Sequence, residues 1–364
     1  MAKRTNKRQS TLPEPPKPVP ALETPVARAS FFTIYLIITI IIGLGGAAWY
    51  RSYLEESNLS SGETETAVWK VVELPGKGFG MVAKRNISQG TTILREKPLF
   101  LVPASIRESP ERLIASLVSQ LSPEKRRQFN ALSHHSNPDS TGEAQMLAKT
   151  QTNAISAGDM IGIFPNTARL NHGCSSAFNV AYNWAAGEQE LVVQAFKPIM
   201  EGEEILTTYT DTKRPRDERR QYLQGAYNFF CTCSVCSLPP EESKRSDERL
   251  VEMSRLKSKL SEWGSKDMGG GEATNIINKI WKLGEEEGYW SERGSLAWDA
   301  VQVAAAHGQE DATRRWALVA EKWFSIELGP NSLQAKDAAN IIRRPKSHPS
   351  WGARYRVKVE SPAF

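Results

Sequence analysis

Tyr227-Asn-Phe-Phe-Cys-Thr-Cys-Ser-Val-Cys236 is the stretch on which the reading of this chain turns. Three of the four cysteines in 364 residues lie in its C-x-C-x-x-C run, at Cys231, Cys233 and Cys236. The remaining one, Cys174, ends the segment Arg169-Leu-Asn-His-Gly-Cys174. Scattered buried thiols or disulfides are the competing fates for such a set. Structural thiols, however, are seldom packed three into six positions. Three adjacent sulfurs plus one brought in by the fold instead make a closed tetrahedral zinc site with no cysteine left over. That site would tie the chain near 174 to the chain near 231, so that binding energy becomes folding energy.

Outward from these two segments the pattern is that of short strands. Residues 69–74 alternate with a period of two, Gly76-Lys-Gly-Phe-Gly80 reads as a turn, and 81–84 and 91–96 read as further strands. Residues 180–184 and 190–196 form a hairpin through Ala185-Ala-Gly-Glu. Ser109-Pro110-Glu111 and Ser122-Pro123-Glu124 each place a serine cap and a first-turn proline at the start of a helix. A mainly β domain with a helical insert is therefore expected over 67–238. Beyond Pro240 the period changes to that of helices, over 241–262, 272–287, 294–307, 310–328 and 331–342. This predicts a separate α-helical domain at 241–342, followed by a basic, irregular tail at 343–364.

Four motifs in one order now carry a resemblance. Asn171-His-Gly-Cys174 is similar to the N-H-S-C signature of SET-domain protein lysine methyltransferases. Gly202-Glu-Glu-Ile-Leu-Thr-Thr-Tyr209 resembles that family's G-E-E-(I/L)-x-x-x-Y. Residues 227–236 resemble its cysteine-rich post-SET tail. Gly76-Lys-Gly-Phe-Gly80 with Ile87-Ser-Gln-Gly90 resembles its G-x-G strand and following turn. The nearest branch is the SMYD-type and its fungal cousins, which also carry a helical C-terminal domain. Residues 98–150 contain no cysteine, so the MYND finger of true SMYD proteins is not expected.

The resemblance implies a mainly β SET fold with a knotted segment, S-adenosylmethionine as methyl donor and a protein lysine as acceptor. It implies that Lys77, Gly78 and Gly80 lie against the methionine part of the donor, and that Asn171 and His172 contact its amino-acid and adenine moieties. Asn153 is a further contact at the matching position, and Phe229 stacks on adenine. Tyr209 is the catalytic tyrosine, and Tyr227 lines the lysine channel. Three departures stand out. The family's N-H-S-C-x-P-N reads here Asn171-His-Gly-Cys-Ser-Ser-Ala-Phe-Asn179, with serine become glycine, proline gone, and the second asparagine displaced by two positions. Asn179 is expected to recover that role through a longer loop.

The totals are those of a folded globular protein: 40% hydrophobic and 24% charged residues, with a net charge of +5 from 46 basic and 41 acidic side chains. That excess is too small to indicate nucleic-acid binding, and the zinc run leads into Pro239-Pro-Glu-Glu242 instead of a basic recognition helix. Residues 29–50 carry no formal charge, and at ~1.5 Å per residue they reach about 33 Å, enough to span a bilayer as one helix. A cleaved signal peptide competes, but 28 residues of basic, proline-rich, disordered character precede the run. The expectation is a single-pass membrane protein, with a polar linker at 51–66 and charge bias too slight to fix its orientation. A catalytically silent SET scaffold, binding a partner protein through the helical domain, is the alternative from another functional class.

Overall fold

Alternation in the first described residues gives β1 (Trp69–Leu74), which pairs antiparallel with β2 (Gly78–Ala83), Trp69 opposite Ala83 and Leu74 opposite Gly78. Gly76 and Gly78 turn the hairpin at φ of +72° and +69°, where a side chain is strained. This computed structural model describes residues 67–105, 109–134, 142–265 and 268–364. The segments 1–28, 29–50 and 51–66 of the sequence reading, with its expected membrane helix, lie outside the described residues. Among the described residues no helix is long and apolar enough to cross a membrane.

Three further sheets follow. β3 (Thr92–Glu96) and β8 (Val180–Ala185) flank β9 (Glu190–Ala195) in an antiparallel sheet, with β8 and β9 forming the expected hairpin. β4 (Leu101–Pro103) and β5 (Ala154–Ala157) flank β6 (Met160–Ile163). β7 (Asn171–His172) runs parallel to β10 (Leu206–Thr207), which sets Leu206 beside Asn171 and Thr207 beside His172. The helical insert consists of α1 (Pro110–Ser119), α2 (Pro123–Asn130) and α3 (Gly142–Thr152). Ser122 accepts the Lys125 N–H, as a cap should. Ser109 does not cap: its hydroxyl donates to Glu111 at 2.8 Å.

Then come α4 (Arg216–Tyr227), α5 (Pro240–Ser261), α6 (Gly270–Glu287), α7 (Arg293–Ala306), α8 (Glu310–Glu327) and α9 (Leu333–Arg343). The last five match the helical periods closely. Their separateness does not hold. Phe178 and Phe196, from the β region, pack in the same core as Leu250, Met253, Ile277 and Trp316. The chain changes character at Pro240, while the apolar core runs across that point. The irregular tail is also built in. Arg354 N–H donates to the Ala306 carbonyl at 2.9 Å, Val359 is buried, and Phe364 stacks on Trp281 at 3.8 Å.

α7 starts without a capping side chain of its own. Glu327, buried on α8, takes the cap's place by accepting the N–H groups of Arg293 at 2.8 Å and Gly294 at 3.4 Å. Burial, outweighing those hydrogen bonds, pushes its carboxyl up to about 8 from an ordinary 4.5. A raised folded-state value favours the folded protein fully below the unfolded value and loses that favour as pH climbs through the folded one. Thermal stability should therefore fall between about pH 4.5 and pH 8, by an amount on the order of a few kcal/mol. Melting curves of Glu327→Gln should show a flatter pH dependence over that window; an unchanged slope would clear Glu327 of responsibility.

Candidate functional site

Glu96, at the end of β3, anchors the site from below. Its carboxylate accepts the N–H groups of Asn166 and Thr167 and the Thr167 hydroxyl, each at 2.8 Å. This holds the 3₁₀ turn Thr167–Arg169 that launches β7. The chain then passes alongside 204–209, and Gly173 N–H donates to the Thr207 carbonyl at 2.8 Å. Asn171 Nδ2 donates to Glu204 at 2.9 Å, and Glu204 pairs with Lys77 at 2.5 Å. A Cβ on Gly80 would stand 2.6 Å from Asn171 Nδ2 and 2.4 Å from Leu74. Glycine at 80 thus lets β2 close on Asn171.

His172 is fixed at both nitrogens. Its Nδ1 accepts the Tyr209 N–H at 3.0 Å, which leaves the ring proton on Nε2, 3.0 Å from Cys174 Sγ. Burial pushes its pKa down to about 4, so the ring is neutral and donates to sulfur. It lines the site but has no ring nitrogen free for a ligand. Tyr209 donates its hydroxyl proton to the Leu170 carbonyl at 2.8 Å. Burial, with a smaller contribution from Tyr227, raises its pKa and keeps it a neutral phenol.

The aromatic residues that follow depend on one backbone turn. α4 ends at Tyr227, and Asn228 adopts the left-handed conformation at φ +56°, which asparagine tolerates. The chain folds back, setting Tyr227 and Phe229 at 5.0 Å and 6.4 Å from the Tyr209 ring, centroid to centroid. His172 lies 6.2 Å from Phe229. Between these rings and the hairpin turn of β1 and β2 is a cavity of about 810 Å³.

Lys77, Asn153, Asn171, His172, Tyr209, Tyr227 and Phe229 all line it. Gly78 and Gly80 do not; they serve the turn and the approach to Asn171. Asn153 spends its amide N–H on the carbonyls of Ser133 and Lys149, at 2.7 and 2.8 Å. Sequence reasoning missed Tyr182, which also lines the cavity, because on β8 it reads as an ordinary strand aromatic. It missed Arg169 as well, a cavity-lining cation that pairs with no carboxylate among the described residues and lies over the Phe79 ring at 5.6 Å. A guanidinium so placed can hold a ligand carboxylate.

The four cysteines meet as expected. Their sulfurs all lie within 4.8 Å of one another, and Cys174 and Cys236 are 3.7 Å apart. Four sulfurs at ~2.3 Å from a tetrahedral zinc would stand about 3.8 Å apart, whereas a disulfide needs ~2.05 Å. The cluster therefore fits zinc, and all four thiols are free of disulfides. Cys174 N–H points at Cys233 Sγ at 3.5 Å. The thiols' mutual hydrogen bonds divide the set, holding the Cys233 thiol below the ordinary thiol range and pushing the Cys174 thiol above it.

The loop departures compensate one another. The residues before Asn179 form a 3₁₀ turn, Ser175–Ala177, that folds back over Gly173. A Cβ on Gly173 would meet Phe178 N at 2.9 Å and the Ala177 carbonyl carbon at 3.0 Å. Only glycine fits there. Asn179 ties the longer loop down: it accepts the Leu206 N–H at 2.9 Å and donates to the Glu204 carbonyl at 3.0 Å.

Residues 78–210 match the model of the SET domain. Among curated proteins, the chain is 29% identical over 287 residues to histone-lysine N-methyltransferase set5 of Schizosaccharomyces pombe, covering 78% of this chain and 86% of that protein. It is 30% identical over 125 residues to human N-lysine methyltransferase SMYD2, covering 33% of this chain and 27% of that one. It is 33% identical over 106 residues to SMYD2-B of Xenopus laevis, covering 29% and 23%. The chain thus spans under a third of the length of these SMYD2 relatives.

If the cluster holds zinc, Cys174→Ser should release it. One ligand's share of the ~10–16 kcal/mol typical of such sites is about 3 kcal/mol, on the order of a hundredfold in affinity. Elemental analysis and chelator competition would detect this; stoichiometric zinc in the variant would remove Cys174 from the ligand set.

Proposed function

Because residues 78–210 match the model of the SET domain, we propose that this chain is an S-adenosylmethionine-dependent methyltransferase acting on protein lysine side chains. One observation carries the reading: the cavity wall places Tyr209, Tyr227 and Phe229 together beside Asn171 and His172, with the four-cysteine cluster behind them. The printed names of the relatives, histone-lysine and N-lysine methyltransferases, support the same class.

The donor would occupy the part of the cavity walled by Lys77, Asn153, Arg169, Asn171 and Phe229. When bound it supplies an activated methyl group on a positively charged sulfur. The chain's own residues then have three tasks. The Tyr209 hydroxyl spends its own donor on the Leu170 carbonyl, so its oxygen presents lone pairs and can accept from an incoming amine. Tyr182, Tyr209 and Tyr227 exclude water from the channel, which favours the neutral amine. From a pKa of ~10.4 that form costs about 4 kcal/mol near neutral pH, and removing water lowers the cost. Alignment does the rest, a contribution of about 7–11 kcal/mol in well-oriented reactions. No nucleophile or carboxylate pair is required.

Zinc, in this reading, fills the cluster of Cys174, Cys231, Cys233 and Cys236 and holds the aromatic tail over the cavity. The segment 29–50 anchors the protein in a membrane as a single span. The substrate is a protein presenting a lysine.

Calorimetry on the purified, zinc-loaded chain should show about one S-adenosylmethionine bound. Tyr209→Phe should keep that binding while turnover falls at least tenfold; an unchanged rate would remove Tyr209 from the reaction, and no donor binding by the wild type would sink the enzyme reading. In sealed vesicles, protease should leave the chain membrane-associated through 29–50. Full release by a high-salt wash would refute the anchor.

A further inference from the structure

Glu204 stands behind the cavity wall, in contact with two residues that form it, Lys77 and Asn171. Its backbone is fixed by β2. Glu204 bridges Val82, the Glu203 carbonyl accepts the Ala83 N–H at 2.9 Å, and the Ile205 N–H donates to the Met81 carbonyl at 2.8 Å. One carboxylate oxygen accepts from Asn171 Nδ2 at 2.9 Å, and the other pairs with Lys77 Nζ at 2.5 Å. A Cβ on Gly80 would come 3.2 Å from Glu204 Oε1, so glycine there admits the carboxylate together with the amide.

Each contact removes a freedom that the side chain would otherwise keep. An asparagine amide can sit either way round, as its neighbours dictate. The end of Asn171 that meets Glu204 also faces the Phe79 carbonyl at 3.5 Å, and both neighbours are acceptors. Only the NH₂ end can stand between two acceptors, which turns Oδ1 to the other side. No hydrogen bond occupies that Oδ1 among the described residues. Lys77 lies at a hairpin turn between Gly76 and Gly78, with its side chain 38% exposed. A lysine stem in such a place has many rotamers, and the ion pair selects one. A pair this exposed adds little stability; its effect is to place Nζ.

We infer that Glu204 is the positioning residue for the amino-acid head of the methyl donor. It turns Asn171 Oδ1 to accept from the donor's ammonium, and it keeps Lys77 Nζ where the donor's carboxylate arrives. The inference rests on the donor reading above and adds to it a residue that touches neither the donor nor the reacting atoms. The charges of Lys77 and Glu204 cancel, so the array offers a cation and a neutral acceptor in fixed places. That suits a zwitterionic head.

The test uses the full, zinc-loaded chain and a pair of probes. S-adenosylhomocysteine carries the amino-acid head; 5′-methylthioadenosine keeps the adenosine and the thioether without it. Calorimetry reads the first, and ligand-observed NMR at millimolar concentration reads the second. Glu204→Ala should bind S-adenosylhomocysteine about 10–100-fold more weakly, the scale of lost charge-assisted hydrogen bonds, and 5′-methylthioadenosine within about twofold of wild type. Equal losses for both probes would make Glu204 a support of the whole pocket and overturn the assignment, as would no loss for either. Should Glu204→Ala fail to fold, Glu204→Gln decides. Its amide offers one acceptor oxygen where the carboxylate offers two, so weaker binding of S-adenosylhomocysteine alone supports the role, and wild-type binding of it refutes the role. A wild-type chain that binds neither probe would instead refute the donor reading, and the positioning role with it.

Discussion

Parallel pairing of β7 with β10 is the constraint from which the site follows. It is only two residues long on each strand, too short to persist alone. Its neighbours close it at both ends. Glu96 holds the turn before β7, Gly173 N–H reaches the Thr207 carbonyl just after it, and His172 Nδ1 takes the Tyr209 N–H. The cysteine cluster then joins Cys174 to the chain 57 positions and more downstream. Each clamp brings a segment that could not otherwise find its partner against the same cavity wall.

That wall is also joined to the helices, in two places. Ser175, directly after Cys174, donates to the buried Glu287 of α6 at 2.8 Å, and Glu287 is held in turn by Ser246 at 2.6 Å and Arg249 at 2.7 Å. Asp247 of α5 accepts the first N–H of α4 at 3.0 Å and pairs with Arg219. Buried ion pairs of this sort add little net stability but make one geometry the only satisfied one. Here that geometry is the approach of α4 and the Cys174 loop to the cavity. The helical region thus supports the site physically as well as sharing its core.

Much of this was legible in the residues. Period-two and helical periods, or apolar runs in the case of the nearly enclosed β9 and α7, located β1, β3, β8, β9 and the five C-terminal helices. The cysteine spacing located the cluster, since four sulfurs have few ways to be used together. What stayed hidden has a common cause. β7 and β10 are made by tertiary pairing and have too few residues for any period. α4 buries little beyond Arg219 and Leu223, so its charged sequence gives no apolar stripe. Tyr182 becomes a cavity residue, and Glu204 a partner of Asn171, only through tertiary pairing. Gly78 and Gly80 were placed at the cavity because a glycine loop suggests close approach; the close approach is real, but Asn171 is what comes near Gly80.

The altered loop after His172 bears most directly on whether the site can work. Taken one at a time, its three departures each look damaging: a lost serine, a lost proline and a shifted asparagine. Together they form one consistent solution. The extra length is taken up in the turn Ser175–Ala177, whose backbone comes so near residue 173 that only glycine leaves room. That same length delivers Asn179 to the backbone at 204 and 206, and Ser175 at φ +48° turns toward Glu287. The strained serine costs of order 1 kcal/mol or more, and the hydrogen bonds around it offset that cost only if the loop holds Cys174 where the other three sulfurs can reach it.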